Sequence, residues 1–138
     1  MNIPIWVTLS AIMALKHFLA DFPLQTGYMV GGKGKKANWL LPLVCHCTVH
    51  GAFTLLVALL IRPEYYWLAL VDFAIHFVMD RIKAAPNLLG RYKLLAPSEF
   101  HSATAKQIQD NNYFWWSLGL DQMVHSLTNI LIVFLLLN

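Results

Sequence analysis

Histidine and aspartate recur at intervals of four in four separate stretches of this 138-residue chain. The sets are His17 with Asp21, His46 with His50, Asp72 with His76 and Asp80, and Asp121 with His125. On an α-helix that spacing puts both members of a pair on one face, one turn apart. Five of the six histidines and four of the seven acids obey it, inside runs otherwise made of Leu, Val, Phe and Trp. An ionised carboxylate in such surroundings costs about 2.5–3.5 kcal/mol even on insertion scales. Lys16 and Arg81, at the edges of their runs, are the cations at hand. A divalent cation would supply the missing charge. Imidazole nitrogen with carboxylate oxygen suits zinc first, then iron or manganese, ahead of magnesium or calcium. The candidate ligands are His17, Asp21, His46, His50, His76, Asp80, Asp121 and His125, enough for one ion or two.

A metal of this kind lowers the pKa of a bound water toward ~7 and yields hydroxide at neutral pH. Asp72 or Asp21 would then serve as general base, with Asp72 also open to a role behind the ligands. Lys83 or Arg81 would steady developing negative charge. His101, in a polar stretch, reads as solvated. Gln25, Asn38, Thr48, Ser126 and Asn129 read as packing or capping residues. Cys45 and Cys47, one residue apart, match no zinc or disulfide pattern and read as small thiols on a helix.

These pairs need helices to hold them, and the apolar runs have the length. Apolar residues make up 58 % of the chain and charged ones 12 %, against about 25 % charged in a soluble domain. Membrane helices need roughly 20 mostly apolar residues. Four segments qualify, at 3–22, 39–61, 65–84 and 113–137. The expected fold is all-α: one domain over 1–138, an up-down integral membrane four-helix bundle. A short surface helix from Ser98 to Gln109 is expected between the third and fourth spans, with Pro97 at its start. Gly31 to Lys36 reads as a flexible basic loop. The first run lacks a basic start and a small-residue cleavage site, so it is expected to stay in the mature chain.

Lysine and arginine set the orientation. Lys33, Lys35, Lys36, Arg81, Lys83, Arg91, Lys93 and Lys106 flank loops one and three, whereas the other side holds only Arg62. The positive-inside rule then predicts a multi-pass inner (cytoplasmic) membrane protein with both termini outside. In that topology all four His/Asp pairs fall in the cytoplasmic half. The net charge of +3 sits in short loops rather than along an exposed face, which argues against nucleic acid. It fits anionic lipid, or capture of an anionic substrate beside the metal.

The segments His17-Phe-Leu-Ala-Asp21-Phe-Pro-Leu-Gln25, His46-x3-His50 and Asp72-x3-His76-x3-Asp80-Arg81-x-Lys83 resemble a family of small bacterial and phage membrane proteins catalogued as a domain of unknown function, DUF3307. The resemblance covers nearly the whole chain and implies four helices and the His/Asp pattern, with no established activity. The general style also looks like the YdjM-type membrane-bound metal-dependent hydrolases. Together these readings predict a membrane-embedded metal-dependent hydrolase acting from the cytoplasmic side on an anionic, phosphorylated or lipid substrate, with oligomerisation left open. Three rivals stand beside it. An ion or proton transporter subunit would need polar stations across the whole depth, and the outer half is Leu, Ile, Val and Phe. A haem-binding electron carrier has no use for four aspartates. A non-enzymatic membrane factor would use the metal only as a staple.

Overall fold

The computed structural model describes residues 3–85, 104–110 and 112–138. Within them the chain is all-α: α1 (Ile5–Asp21), α2 (Gly27–Lys33), α3 (Leu40–Ile61), a 3-10 turn (Pro63–Tyr65), α4 (Leu68–Ala84), α5 (Ala105–Gln109) and α6 (Asn112–Leu137).

Proline sets most of the ends. Pro23, Pro63 and Pro86 each follow shortly after a helix, and a residue preceding proline is pushed out of the helical region. Arg62 (φ −149°, ψ 90°) and Ala85 (φ −65°, ψ 129°) show it directly. The Thr26 hydroxyl caps α2 by accepting from the Met29 N–H at 3.4 Å. Asn38 takes the turn into α3 at φ 58°, a left-handed conformation that asparagine tolerates better than most residues.

α1, α3, α4 and α6 form a ring in which α1 packs on α3, α3 on α4, α4 on α6 and α6 on α1. Neighbours run antiparallel. Thr54 meets Asp72 while His46 meets Asp80, so α3 and α4 descend past each other. His17 meets Gln122 while Met13 meets Asn129, so α1 and α6 do the same. The up-down arrangement expected from the sequence is therefore present among the described helices.

The bundle has two unlike halves. Near the chain termini, Leu9, Met13, Ala58, Leu68, Ile132, Val133 and Leu136 make a dry core. In the other half the interior is polar: Lys16, His46, His50, Asp72, His76, Asp80, Asp121 and His125 are all buried. The outside is apolar instead, with Leu15, Phe18, Leu56, Leu60, Leu70, Val78, Leu127, Ile130 and Phe134 exposed.

The structure differs from two expectations. First, among the described residues two helices, α3 and the stretch Trp115–Leu137, pass the length and hydropathy needed to cross a membrane, against four expected spans. α1 and α4 have 17 residues each, about 26 Å at 1.5 Å per residue, short of the ~30 Å hydrocarbon layer. The expected third span is shortened because Pro63 turns residues 63–65 into a 3-10 turn. Second, the basic loop is not all loop. Gly31, Gly32 and Lys33 belong to α2, which packs on α3 and α4 and carries Lys33 into the interior, 7 % exposed. The expected surface helix is described only at its end, as α5; the rest of that prediction, with Arg91, Lys93 and His101, lies outside the described residues.

α2 approaches so closely that a Cβ on Gly32 would fall on the Pro42 ring, whereas one on Gly31 would meet open space. Gly32→Ala should therefore lower the melting temperature in detergent, as overpacking does at a cost of about 1–3 kcal/mol. Gly31→Ala should leave it unchanged; equal melting of the two variants would show that α2 does not dock this way.

Candidate metal centre

Each buried aspartate is held by a different set of partners. Asp72 is the deepest. Its Oδ2 accepts from the Lys16 ammonium at 2.5 Å and the Thr54 hydroxyl at 2.7 Å. Asp80 Oδ1 takes Lys33 at 2.8 Å and Lys83 at 3.2 Å. Asp121 Oδ2 takes Lys83 at 2.6 Å. Lys33 is steadied by donating to Gln25 Oε1 at 2.7 Å, and Gln25 in turn donates to the Asp21 backbone carbonyl at 2.6 Å. Interior charge is thus largely met by lysine. That corrects the expectation that Lys16 and Arg81 were the only cations at hand, since the chain folds back to bring in Lys33 and Lys83.

Asp21 differs. Among the described residues no lysine lies within ion-pair distance of its carboxylate. It faces imidazoles instead: His50 Nε2 at 3.0 Å and His46 Nε2 at 3.4 Å from Oδ1, and His17 Nε2 at 3.1 Å from Oδ2. The carboxamide of Gln122 lies against this carboxylate as well, at 3.4 Å from Oδ2.

The remaining imidazoles complete the cluster. His76 Nδ1 lies 2.9 Å from the Asp72 backbone carbonyl and 3.3 Å from Asp72 Oδ1. A carbonyl only accepts, so Nδ1 carries the proton and Nε2 keeps a lone pair. That Nε2 is buried without a partner, as are Nδ1 of His17, His46, His50 and His125. His76 stacks on His50 with centroids 3.7 Å apart and on His125 at 3.9 Å. Asp80 reaches the cluster through Oδ2, 3.1 Å from His46 Nε2.

Among the described residues, two groups have the dimensions to hold a metal ion. One is Asp21, His46 and His50; the other is His17, His50 and His76; in each the ligand atoms all lie within 4.8 Å of one another. Five of the eight ligands expected from the sequence are in these groups. Asp80, Asp121 and His125 sit around them: Asp80 on Lys33 and His46, and Asp121 between Lys83 and His125, whose Nε2 is 3.3 Å away. Of the three residues expected to act in catalysis, Asp72 sits under His76 and Lys83 lies between Asp80 and Asp121. Arg81 turns outward, its guanidinium 3.8 Å from the Trp39 ring centroid and donating to the Lys33 carbonyl. Gln122, Lys33 and Thr54 are the neighbours of the cluster that sequence reasoning missed or placed elsewhere. Gln122 had one signal, an amide beside Asp121 in an apolar run.

Cys47 is buried and Cys45 half-buried, both as free thiols, as expected. Thr48 and Ser126 bond back to the carbonyls of their own helices, and Asn129 donates to the Met13 carbonyl at 3.4 Å, also as expected of packing residues.

The chain belongs to the family described as a protein of unknown function, DUF3307, whose model matches residues 9–138. No curated protein and no solved structure matches it. The likeness to YdjM-type hydrolases gains nothing from these comparisons.

Removing one member of a buried ion pair strands the other, typically at about 3–5 kcal/mol, whereas replacing both by apolar groups is often neutral. Lys16→Met should therefore melt well below wild type in detergent, and Lys16→Met with Asp72→Leu should recover part of the loss. If the double variant melts no higher than the single one, the pair is not coupled as the 2.5 Å contact indicates.

Proposed function

We propose that this chain is a membrane-embedded, metal-dependent hydrolase that works on an anionic substrate reached from the cytoplasmic side. The observation that carries the reading is Asp21: the one aspartate of the cluster without a lysine, facing imidazole nitrogens from α1 and α3. Four aspartates against Lys16, Lys33 and Lys83 leave one negative charge in the interior. One divalent ion with one hydroxide brings the cluster to neutrality, as burial in a low-dielectric setting demands. His46, His50 and Asp21 would hold such an ion with three protein ligands, and catalytic zinc sites with three protein ligands keep a further position for water.

The surface supports membrane embedding. Apolar side chains cover the outside of α1 and α4 as well as α3 and α6, so the two shorter helices are suited to lipid contact despite their length. Trp6, Tyr66 and Trp67 lie at one end of the bundle and Trp115 and Trp116 at the other, which fits aromatic belts at two interfaces. With the lysine and arginine bias, this favours four passes through the inner membrane with both termini outside.

Hydrolysis would run at the mouth of the cluster. There the Asp21 and His17 side chains each keep 11 % of their surface exposed and Lys83 keeps 25 %. The water oxygen forms a bond to phosphorus, the ester P–O bond breaks, and the leaving alcohol takes up a proton. Asp21 or a neighbouring imidazole takes the proton from water. A structural ion is the second reading, favoured by the complete burial of His46, His50 and His76.

Protein purified in detergent should carry divalent metal, zinc foremost. Chelation should lower its melting temperature. Asp21→Asn should abolish both the metal and phosphate release from vesicles containing phosphatidic acid. Metal-free protein that folds and melts normally would end this reading, and bound metal without turnover would leave the structural ion. Separately, cysteines placed at Lys35 and Asn138 should label from opposite sides of the membrane; labelling of both from outside the cell would refute the topology.

A further inference from the structure

We infer that His17, His50 and His76 form a second cation position beside the one at Asp21, and that it fills together with a phosphate dianion. The inference rests on the metal-centred reading above and narrows its substrate to phosphate monoesters.

Distance is the first argument. Ligands of one tetrahedral ion lie about 2.0–2.2 Å from it, so no two of them stand much more than ~4 Å apart. The cluster resolves into two groups of three that share His50, rather than one group of five. A single ion therefore does not satisfy both; a neutral His50 has one lone pair to give, so with both positions filled the second would rest on His17 and His76 and take its remaining ligands from the bound anion. Asp21 belongs to the first group, with Oδ1 toward His46 and His50, and its Oδ2 faces His17 of the second.

The lone pair of His76 is the second argument. Its Nε2 is buried and has no partner, and His76 belongs to the second group. The proton is fixed on the other nitrogen by the Asp72 carbonyl, and Asp72 is itself anchored by Lys16 and Thr54. A carboxylate or carbonyl behind the imidazole is how metal-binding histidines are oriented. A packing role gives no reason to aim a bare nitrogen at two other imidazoles, where an unmet acceptor costs about 1–3 kcal/mol.

Charge then sets the condition for filling. With one divalent ion and one hydroxide the interior is neutral. A second divalent ion adds two positive charges that nothing among the described residues offsets. A phosphate monoester at neutral pH carries close to two negative charges. The second ion and the dianion therefore neutralise each other and should bind together, whereas a monoanionic diester leaves an excess charge.

Cobalt(II) uptake by the metal-free, full-length protein in detergent tests this by equilibrium dialysis, with and without inorganic phosphate. One ion per chain without phosphate and two with it is the expected result. His76→Gln should keep the first ion and lose the phosphate-dependent second, with the helical circular dichroism unchanged. One ion under both conditions overturns the second position and leaves the hydrolase reading standing. Two ions without phosphate overturns the coupling to the dianion. Folded His76→Gln that takes two ions, or none, overturns the assignment of ligands. No uptake by the wild-type protein overturns this inference and the metal centre together.

Discussion

Four carboxylates inside an apolar bundle are the constraint that the rest of the molecule answers. Each would cost several kcal/mol if left unpaired, and each is met differently. Lys16 rises along α1 to Asp72. Lys33 arrives from α2, and Lys83 reaches across to α6. The course of the chain between α1 and α3 follows from this. α2 turns back against α3 and α4, with Gly32 close on Pro42, and that approach brings an ammonium to Asp80. Once three acids have lysines, the fourth has imidazoles and the Gln122 amide, and the special position of Asp21 is a consequence of how its neighbours are paired.

The same pairings fix register. Between helices with apolar outsides, sliding by one turn loses little dispersion energy, because Leu meets Leu or Val in either position. Polar contacts discriminate. Thr54 with Asp72 and His46 with Asp80 set α3 against α4, and Gln122 with His17 and Asn129 with the Met13 carbonyl set α6 against α1. The dry half near the termini closes the bundle around Met13, Leu68 and Leu136 and keeps the polar half from continuing through it. An interior polar at one end only has the form of a site entered from that end. A conducting path would need stations through the Leu9, Ala58 and Ile132 layer, where the described core is apolar.

The four-helix arrangement and the shared depth of the pairs were legible because they rest on period and length. A His or Asp recurring every fourth position in an apolar run names the inward face without any knowledge of the neighbours. Partner choice was not legible, because it depends on side-chain reach across helices. Lys33 sits in a Gly- and Lys-rich stretch whose composition says solvent, and only the fold of α2 reveals that it points inward. His125 obeys the same spacing as His50, yet its ring lies flat against His76, at an interplanar angle of 2°, and it stays outside both ligand groups. Spacing gives the face of a helix and leaves the rotation of each ring undetermined. The length of the third span was overestimated for a related reason: Tyr65, Tyr66 and Trp67 count as apolar in a window, but Pro63 bends the chain there.

The division of labour between Asp72 and Asp21 follows from what each already holds. Both looked able to act as the base on sequence alone. Asp72 Oδ2 is taken by an ammonium and a hydroxyl, and its other oxygen faces a nitrogen that already carries a proton. A carboxylate so engaged fixes the tautomer of the histidine in front of it; to take a proton from water it would have to give up Lys16, stranding a charge at the deepest polar point of the bundle. Asp21 lies one turn beyond His17 on the same helix, keeps part of its surface exposed, and has imidazoles and an amide for neighbours. None of those neighbours carries a fixed charge, so Asp21 can take up a cation or a proton without leaving a bare ammonium behind. On the proposed reading, the acid nearest the mouth does the chemistry because the deeper one is committed to holding His76 in place.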